Sequence, residues 1–124
     1  MQNRYIAIGA ISAMLAVALG AFGAHGLEGK ITNDMLKVYN TGVTYHMSHA
    51  LGILLIALMV DKLGDSNKVL WAGRLLLIGT ILFSGSLYLL AVTDVKQLGI
   101  ITPFGGVAFL AGWLLVALAA MGKK

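Results

Sequence analysis

Val38–Val60 reads VYNTGVTYHMSHALGILLIALMV, a run of 23 residues without Asp, Glu, Lys or Arg. A helix advances about 1.5 Å per residue, and a hydrocarbon core about 30 Å thick takes roughly 20 apolar residues to cross. The run is therefore long enough to span a membrane. Three more uncharged runs flank it, at Tyr5–Leu27, Leu75–Thr93 and Gln97–Gly122. Four spans are expected, at approximately 5–24, 38–60, 75–93 and 102–121, with nothing between them long enough for a soluble domain. Backbone groups in lipid must be satisfied within their own segment, so the spans read as helices. Barrel strands would alternate in polarity over about ten residues, and these runs do not. The expected fold class is all-α, an integral membrane four-helix bundle running up-down-up-down, with 1–124 as a single membrane domain.

Composition agrees with that reading. Hydrophobic residues make up 59% and charged residues 11% of the 124, with a mean hydropathy of +0.89. A soluble domain is typically about 25% charged, so this chain lacks the polar surface to cover itself. Without cysteine, disulfide frameworks, zinc ribbons and thiol catalysis are excluded. The net charge of +4 comes from nine Lys and Arg that do not cluster, so no nucleic-acid partner is expected.

The charge has a topological explanation instead. Arg4, Lys62, Lys68, Arg74, Lys123 and Lys124 fall on one side of the four spans, against Lys30, Lys37 and Lys96 on the other. With Asp61 and Asp65 on the first side and Glu28, Asp34 and Asp94 on the second, the net charges are +4 and 0. Both termini are expected in the cytoplasm, in a multi-pass protein of the cell inner (plasma) membrane. Arg4 and the Ala21-Phe22-Gly23 stretch resemble a cleavable signal. The apolar run is long for one, however, and three spans follow, so helix 1 is read as retained.

Local signals set the boundaries. Thr32, Asn33 and Asp34 offer oxygens to cap helix 2, and Thr102 before Pro103 reads as a cap with proline at the first helical position. Gly64–Asn67 is a polar turn, and Trp71 and Trp113 are candidate interfacial anchors. Helices in lipid associate through small residues. Helix 1 carries Ser12, Ala16, Gly20 and Ala24 four apart, and helix 4 carries Gly105, Ala108 and Gly112. Packing within the chain is the plainer reading of these stripes; a homo-oligomer seam is the other.

Four stretches together resemble a known family: Gly20–Leu27 (GAFGAHGL), Tyr45–Leu51 (YHMSHAL), Phe83–Tyr88 (FSGSLY) and Ile101–Gly106 (ITPFGG). In this order they look like the YwdK/YgdD family of small bacterial inner-membrane proteins, a domain of unknown function. The resemblance covers nearly the whole chain. It implies a four-helix membrane protein and brings no activity, substrate or catalytic residue.

Polar groups inside a span are costly, and each is a candidate site. Helix 2 holds His46 and His49, with Tyr39 and Gly42 along the same stripe; helix 3 holds Thr80, Ser84 and Tyr88 four apart. Counted from the outer boundary, His46 and Tyr88 both lie ~8 Å deep, while His49 lies ~12 Å and Ser84 ~14 Å deep. The level pairs His46 with Tyr88 and His49 with Ser84. His25, at the outer end of helix 1, is a further candidate for this polar cluster. Cross-helix hydrogen bonding, worth around 0.6 kcal/mol per contact, accounts for such residues without any activity.

Catalytic and cofactor readings fare worse. No acidic residue lies within a span to complete a metal site around His46 and His49. Two histidines on one helix cannot supply both axial ligands of a haem; His25 or another subunit would have to supply the second. The Gly20–Leu27 stretch lacks the strand and the Lys-Ser/Thr ending of a phosphate loop. Ser84 beside His49 suggests a nucleophile and base, but no third group orients the imidazole. No catalytic residue, metal or cofactor is therefore expected. The reading is a non-enzymatic protein whose polar pocket binds a membrane lipid or small amphiphile, or supports membrane-protein assembly. The alternative is a proton-coupled small-molecule transporter that uses the two histidines and acts as a homo-oligomer.

Overall fold

A computed structural model describes residues 1–122, so Lys123 and Lys124, which contribute to the charge bias, lie outside it. The chain is all-α, with four helices long and apolar enough to cross a membrane and no strand among the described residues. Helix α1 runs Gln2–Leu27, α2 Asn33–Leu63 and α3 Asn67–Thr93. A tight turn at Lys96–Ile100 leads into α4, Thr102–Met121. Helices α2 and α3 pack on each other in the middle, α1 lies along α2, and α4 lies along α3.

The helices outrun the uncharged segments because a helix does not stop at the membrane surface. Helix α3 starts at Asn67, eight residues before Leu75, and carries Lys68 and Arg74 outside the apolar segment. Ser66 caps it, accepting from the Val69 N–H at 3.4 Å, and Thr32 caps α2 by accepting from Met35 N–H at 3.1 Å. Thr102 does not cap α4. It is already helical, and its hydroxyl pairs with that of Ser86 on α3 at 2.5 Å, so it ties two helices together instead. Asp94 closes α3 in the left-handed conformation, φ 57°, which Asp tolerates better than most residues.

The half of the bundle nearer the N-terminus of α1 holds the larger core, where Ile53, Ile56 and Ala57 of α2 meet Val69, Ala72 and Leu76 of α3. Tyr5 of α1 lies over Gly73, and its hydroxyl donates to the Leu70 carbonyl. A smaller cluster forms at the opposite end around Leu27, Tyr39 and Ala91.

Close approach depends on glycine at both outer seams. A Cβ on Gly9 would meet Leu54 Cγ at 2.8 Å, and one on Gly23 would meet Tyr39 Cε1 at 2.5 Å. Between α3 and α4, a Cβ on Gly112 would meet Leu76 Cδ2 at 2.8 Å.

The stripe expected on helix 1 needs correction. Ser12 and Ala16 are buried, Gly20 is half-buried and Ala24 is exposed; the buried line runs through Tyr5, Gly9, Ser12, Ala16, Gly23 and Leu27. A step of four residues overshoots the 3.6-residue turn by about 40°. Three such steps carry Ala24 roughly 120° away from Ser12. The helix also widens to i→i+5 bonding at Gly23–Leu27.

Candidate functional site

His46 is the residue where three helices meet. Its Nδ1 lies 2.8 Å from the Tyr88 hydroxyl on α3, and its Nε2 lies 3.1 Å from Ser12 Oγ on α1. A neutral imidazole offers one donor and one acceptor. One hydroxyl therefore accepts from the ring and the other donates to it. The Tyr88 ring in turn lies 5.1 Å from that of Tyr39, whose hydroxyl donates to the Leu19 carbonyl at 2.6 Å. These residues form one polar seam that runs from the middle of the bundle toward the Leu27 end of α1.

His49 belongs to a different surface. Its Nδ1 donates to the Tyr45 carbonyl at 2.8 Å, and its Nε2 accepts from the Trp113 indole N–H at 3.0 Å. A carbonyl only accepts and an indole N–H only donates, so this pair of bonds holds His49 neutral with its proton on Nδ1. The ring stacks on Phe109, with centroids 3.6 Å apart. Both histidines are buried, at 6% and 7% exposure.

The expected pairings therefore divide. The structure brings His46 and Tyr88 together but separates His49 from Ser84. Ser84 Oγ instead donates to the Gly42 carbonyl of α2 at 2.7 Å. Matching depth fixes only level. Residues three apart on a helix also diverge by roughly 60° in direction, which sends His46 toward α1 and α3 and His49 toward α4. With Ser84 bonded to backbone and both nitrogens of His49 engaged, they do not form a nucleophile and base. His25 is not part of the cluster: it sits exposed in the last turn of α1.

Two partners escaped the sequence reading. Ser12 counts there as a small packing residue, although it is the hydroxyl that holds Nε2 of His46. Trp113 counts as a candidate anchor at the interface, yet it lies inside the span and binds His49. Its depth was the available signal, because an indole N–H far from water needs an acceptor. Trp71, the other anchor candidate, stands exposed in the first turns of α3, with the Arg74 guanidinium 4.9 Å from its ring.

Ser84 closes a widened turn, Thr80–Ser84, inside α3. Such bulges occur frequently at functional sites. Beside it a lateral groove of about 410 Å³ opens between α1 and α3. Ile11, Leu15, Leu77 and Ile81 line it, with Ser12, His46, Thr80 and Tyr88 as its polar residues. A second depression of about 540 Å³ lies between α2 and α4, where Tyr45, His49, Phe83, Phe109 and Trp113 meet. Among the described residues, no three His, Cys, Asp or Glu side chains come together as a metal site would require.

Comparison with known proteins gives a consistent result. The family described as "Protein of unknown function (DUF423)" matches residues 19–106. The UPF0382 membrane protein YwdK of Bacillus subtilis is 56% identical over 117 residues, covering 94% of this chain and 95% of its own. The UPF0382 membrane protein SERP0230 of Staphylococcus epidermidis is 50% identical over 117 residues, covering 94% of each chain. The UPF0382 membrane protein SAB0533 of Staphylococcus aureus is 49% identical over 115 residues, covering 93% of each. No solved structure matches.

Proposed function

The chain belongs to the DUF423 family, whose relatives are UPF0382 membrane proteins of unknown function, and from that premise we propose that it is a non-enzymatic lipid-binding protein of the bacterial inner membrane. The observation that carries this reading is the groove between α1 and α3. Its walls are almost wholly aliphatic, with Ser12, His46, Thr80 and Tyr88 as the polar residues along its floor. It opens sideways, where an acyl chain from the bilayer can enter without crossing water. The Ser12 and Tyr88 oxygens keep acceptor capacity beyond their bonds to His46, which suits a ligand hydroxyl or amide near the top of the chain.

The transport alternative draws less support from the same geometry. All four ring nitrogens of His46 and His49 already contact protein atoms. A proton relay would have to break one of these contacts at each step.

Native mass spectrometry from mild detergent tests the binding, with phosphatidylethanolamine and phosphatidylglycerol added as probes. The wild type is expected to retain bound lipid. Ile11→Trp together with Ile81→Trp should release it without unfolding, because both side chains are exposed in the groove, at 55% and 62%. Equal retention by the filled variant would rule the groove out as the site.

The orientation of this reading follows from the Lys and Arg bias, with both termini in the cytoplasm and the His46 level in the outer leaflet. A reporter fused after Lys124 should report a cytoplasmic position, and one inserted beside Lys30 an external one. The opposite pattern would move the histidines to the inner leaflet.

A further inference from the structure

Two arginines stand at the end of the groove nearest the N-termini of α1 and α3. Arg4 lies one turn before Ile8 on α1, Arg74 lies one turn before Leu77 on α3, and Ile8 and Leu77 both line the groove. Residues spaced by three and four share a helix face. Arg4, Ile8, Ile11 and Leu15 follow that spacing along α1, and Arg74, Leu77 and Ile81 follow it along α3. Tyr5 sets the two arginines at one level. Its ring lies over Gly73, next to Arg74, and its hydroxyl donates to the Leu70 carbonyl. The charges of Arg4 and Arg74 both act on that hydroxyl.

Both arginines are exposed. Neither forms an ion pair among the described residues, where Lys96 pairs with Asp94 at the opposite end of the bundle. The acids at the arginine end, Asp61 and Asp65, belong to α2 and to the turn after it. The Arg74 guanidinium sits over the Trp71 ring, a stack that leaves its N–H fork open to an acceptor. In a helix the Cβ atoms tilt toward the N-terminus. For α1 and α3 alike, that direction leads both long side chains out of the hydrocarbon, to the level of lipid phosphates. The partially positive N-terminal ends of the two helices add to the same field, and neither first turn holds an acidic residue.

We propose that the groove takes an anionic phospholipid, whose phosphate is held jointly by Arg4 and Arg74 while an acyl chain runs past Ile8 and Leu77 toward Ser12. This rests on the lipid-binding reading and adds the headgroup to it. Charge complementarity selects the occupant. A phosphodiester accepts forked N–H donors, and two guanidinium groups without acidic partners supply them. Basic pockets between membrane helices suit anionic heads in this way. Phosphatidylethanolamine carries an ammonium beside its phosphate, which two arginines repel; phosphatidylglycerol carries none. Ser12 lies about 12 Å further along α1 than Arg4, a stretch that one acyl chain covers. The arrangement is more specific than a charge bias, because Lys68 at the same end is turned roughly 120° away from Arg74 around α3. In the orientation read from the Lys and Arg distribution, the head lies in the cytoplasmic leaflet.

Native mass spectrometry with phosphatidylglycerol and phosphatidylethanolamine of identical acyl chains, supplied together, reads the selectivity. The wild type is expected to retain phosphatidylglycerol several-fold over phosphatidylethanolamine. Arg4→Gln combined with Arg74→Gln should bring the two lipids to parity, with thermal unfolding nearly unchanged because both side chains are exposed. Lys68→Gln removes a charge from the same end and should keep the preference. Excess glycerol phosphate in the buffer should leave the bound lipid in place. Parity in the wild type, with lipid still released by the Ile11→Trp and Ile81→Trp pair, would overturn the headgroup assignment and spare the groove. A preference that survives the loss of both arginines, or that Lys68→Gln also abolishes, would overturn it too. Displacement by glycerol phosphate would make the site one for soluble phosphate esters instead. Retention of neither lipid by the wild type would remove the groove reading and this one together.

Discussion

Gly105→Ala is expected to destabilise the bundle by about 3 kcal/mol or more, at the upper end of overpacking substitutions. A Cβ on Gly105 would overlap the backbone N and Cα of Phe83. No side chain can swing away to make room, because the obstacle is the main chain of the widened turn in α3. Helices α3 and α4 would have to separate, loosening Phe109 from Gly79 and Leu76 from Gly112 along the same seam. Gly106→Ala provides the control. Its nearest neighbour would be Phe83 Cδ2 at 4.0 Å, an ordinary contact, and alanine is favoured over glycine in a helix by up to about 1 kcal/mol. Thermal unfolding in one detergent should therefore place Gly105→Ala far below the wild type and Gly106→Ala at or above it. Equal melting of the two variants would mean that α3 and α4 do not approach as described.

His46→Leu should cost roughly 2–5 kcal/mol, since two hydroxyls lose their partner at a depth without water, at about 1–3 kcal/mol each. Ser12 can turn its hydroxyl back to a carbonyl of its own helix, so the larger part of the loss falls on Tyr88. The diagnostic comparison is the triple variant Ser12→Ala, His46→Leu, Tyr88→Phe. Removing all the polar partners together removes the unsatisfied groups as well. The triple variant should therefore be more stable than His46→Leu alone, despite carrying more substitutions. Should it prove less stable, the cost of His46→Leu comes from lost packing and not from stranded hydroxyls. Thermal unfolding of His46→Leu and the triple variant in the same detergent decides between the two causes.

The polar seam was legible only in part, and the reason is geometric. Depth along a helix is a count of residues times a fixed rise, and the sequence supplies the count. His46 and Tyr88 were matched that way, and they are bonded at 2.8 Å. Direction around a helix accumulates error instead, because small departures from the 3.6-residue turn add up. The same count that placed Ser84 near the level of His49 gave no information about azimuth, and Ser84 faces the Gly42 carbonyl. Ala24 left the stripe of Ser12 for the same cause, as did His25 the cluster. The two widened turns, Gly23–Leu27 and Thr80–Ser84, shift the phase further, and neither has a composition that announces it.

What the sequence determined alone is the fold class and the membrane environment. Four long uncharged runs leave backbone groups no solution in lipid except helices, whatever the packing between them. It also determined that both histidines would be held inside the bundle, since an imidazole facing acyl chains is costly. Tertiary structure decided which partners satisfy them. Ser12 and Tyr88 hold His46, while the Tyr45 carbonyl and Trp113 hold His49. It also decided which glycines carry the seams. Those outcomes depend on how the neighbouring helices pack around each one at once. The sequence of one helix specifies which polar groups need a partner, and only the assembled bundle specifies where that partner stands.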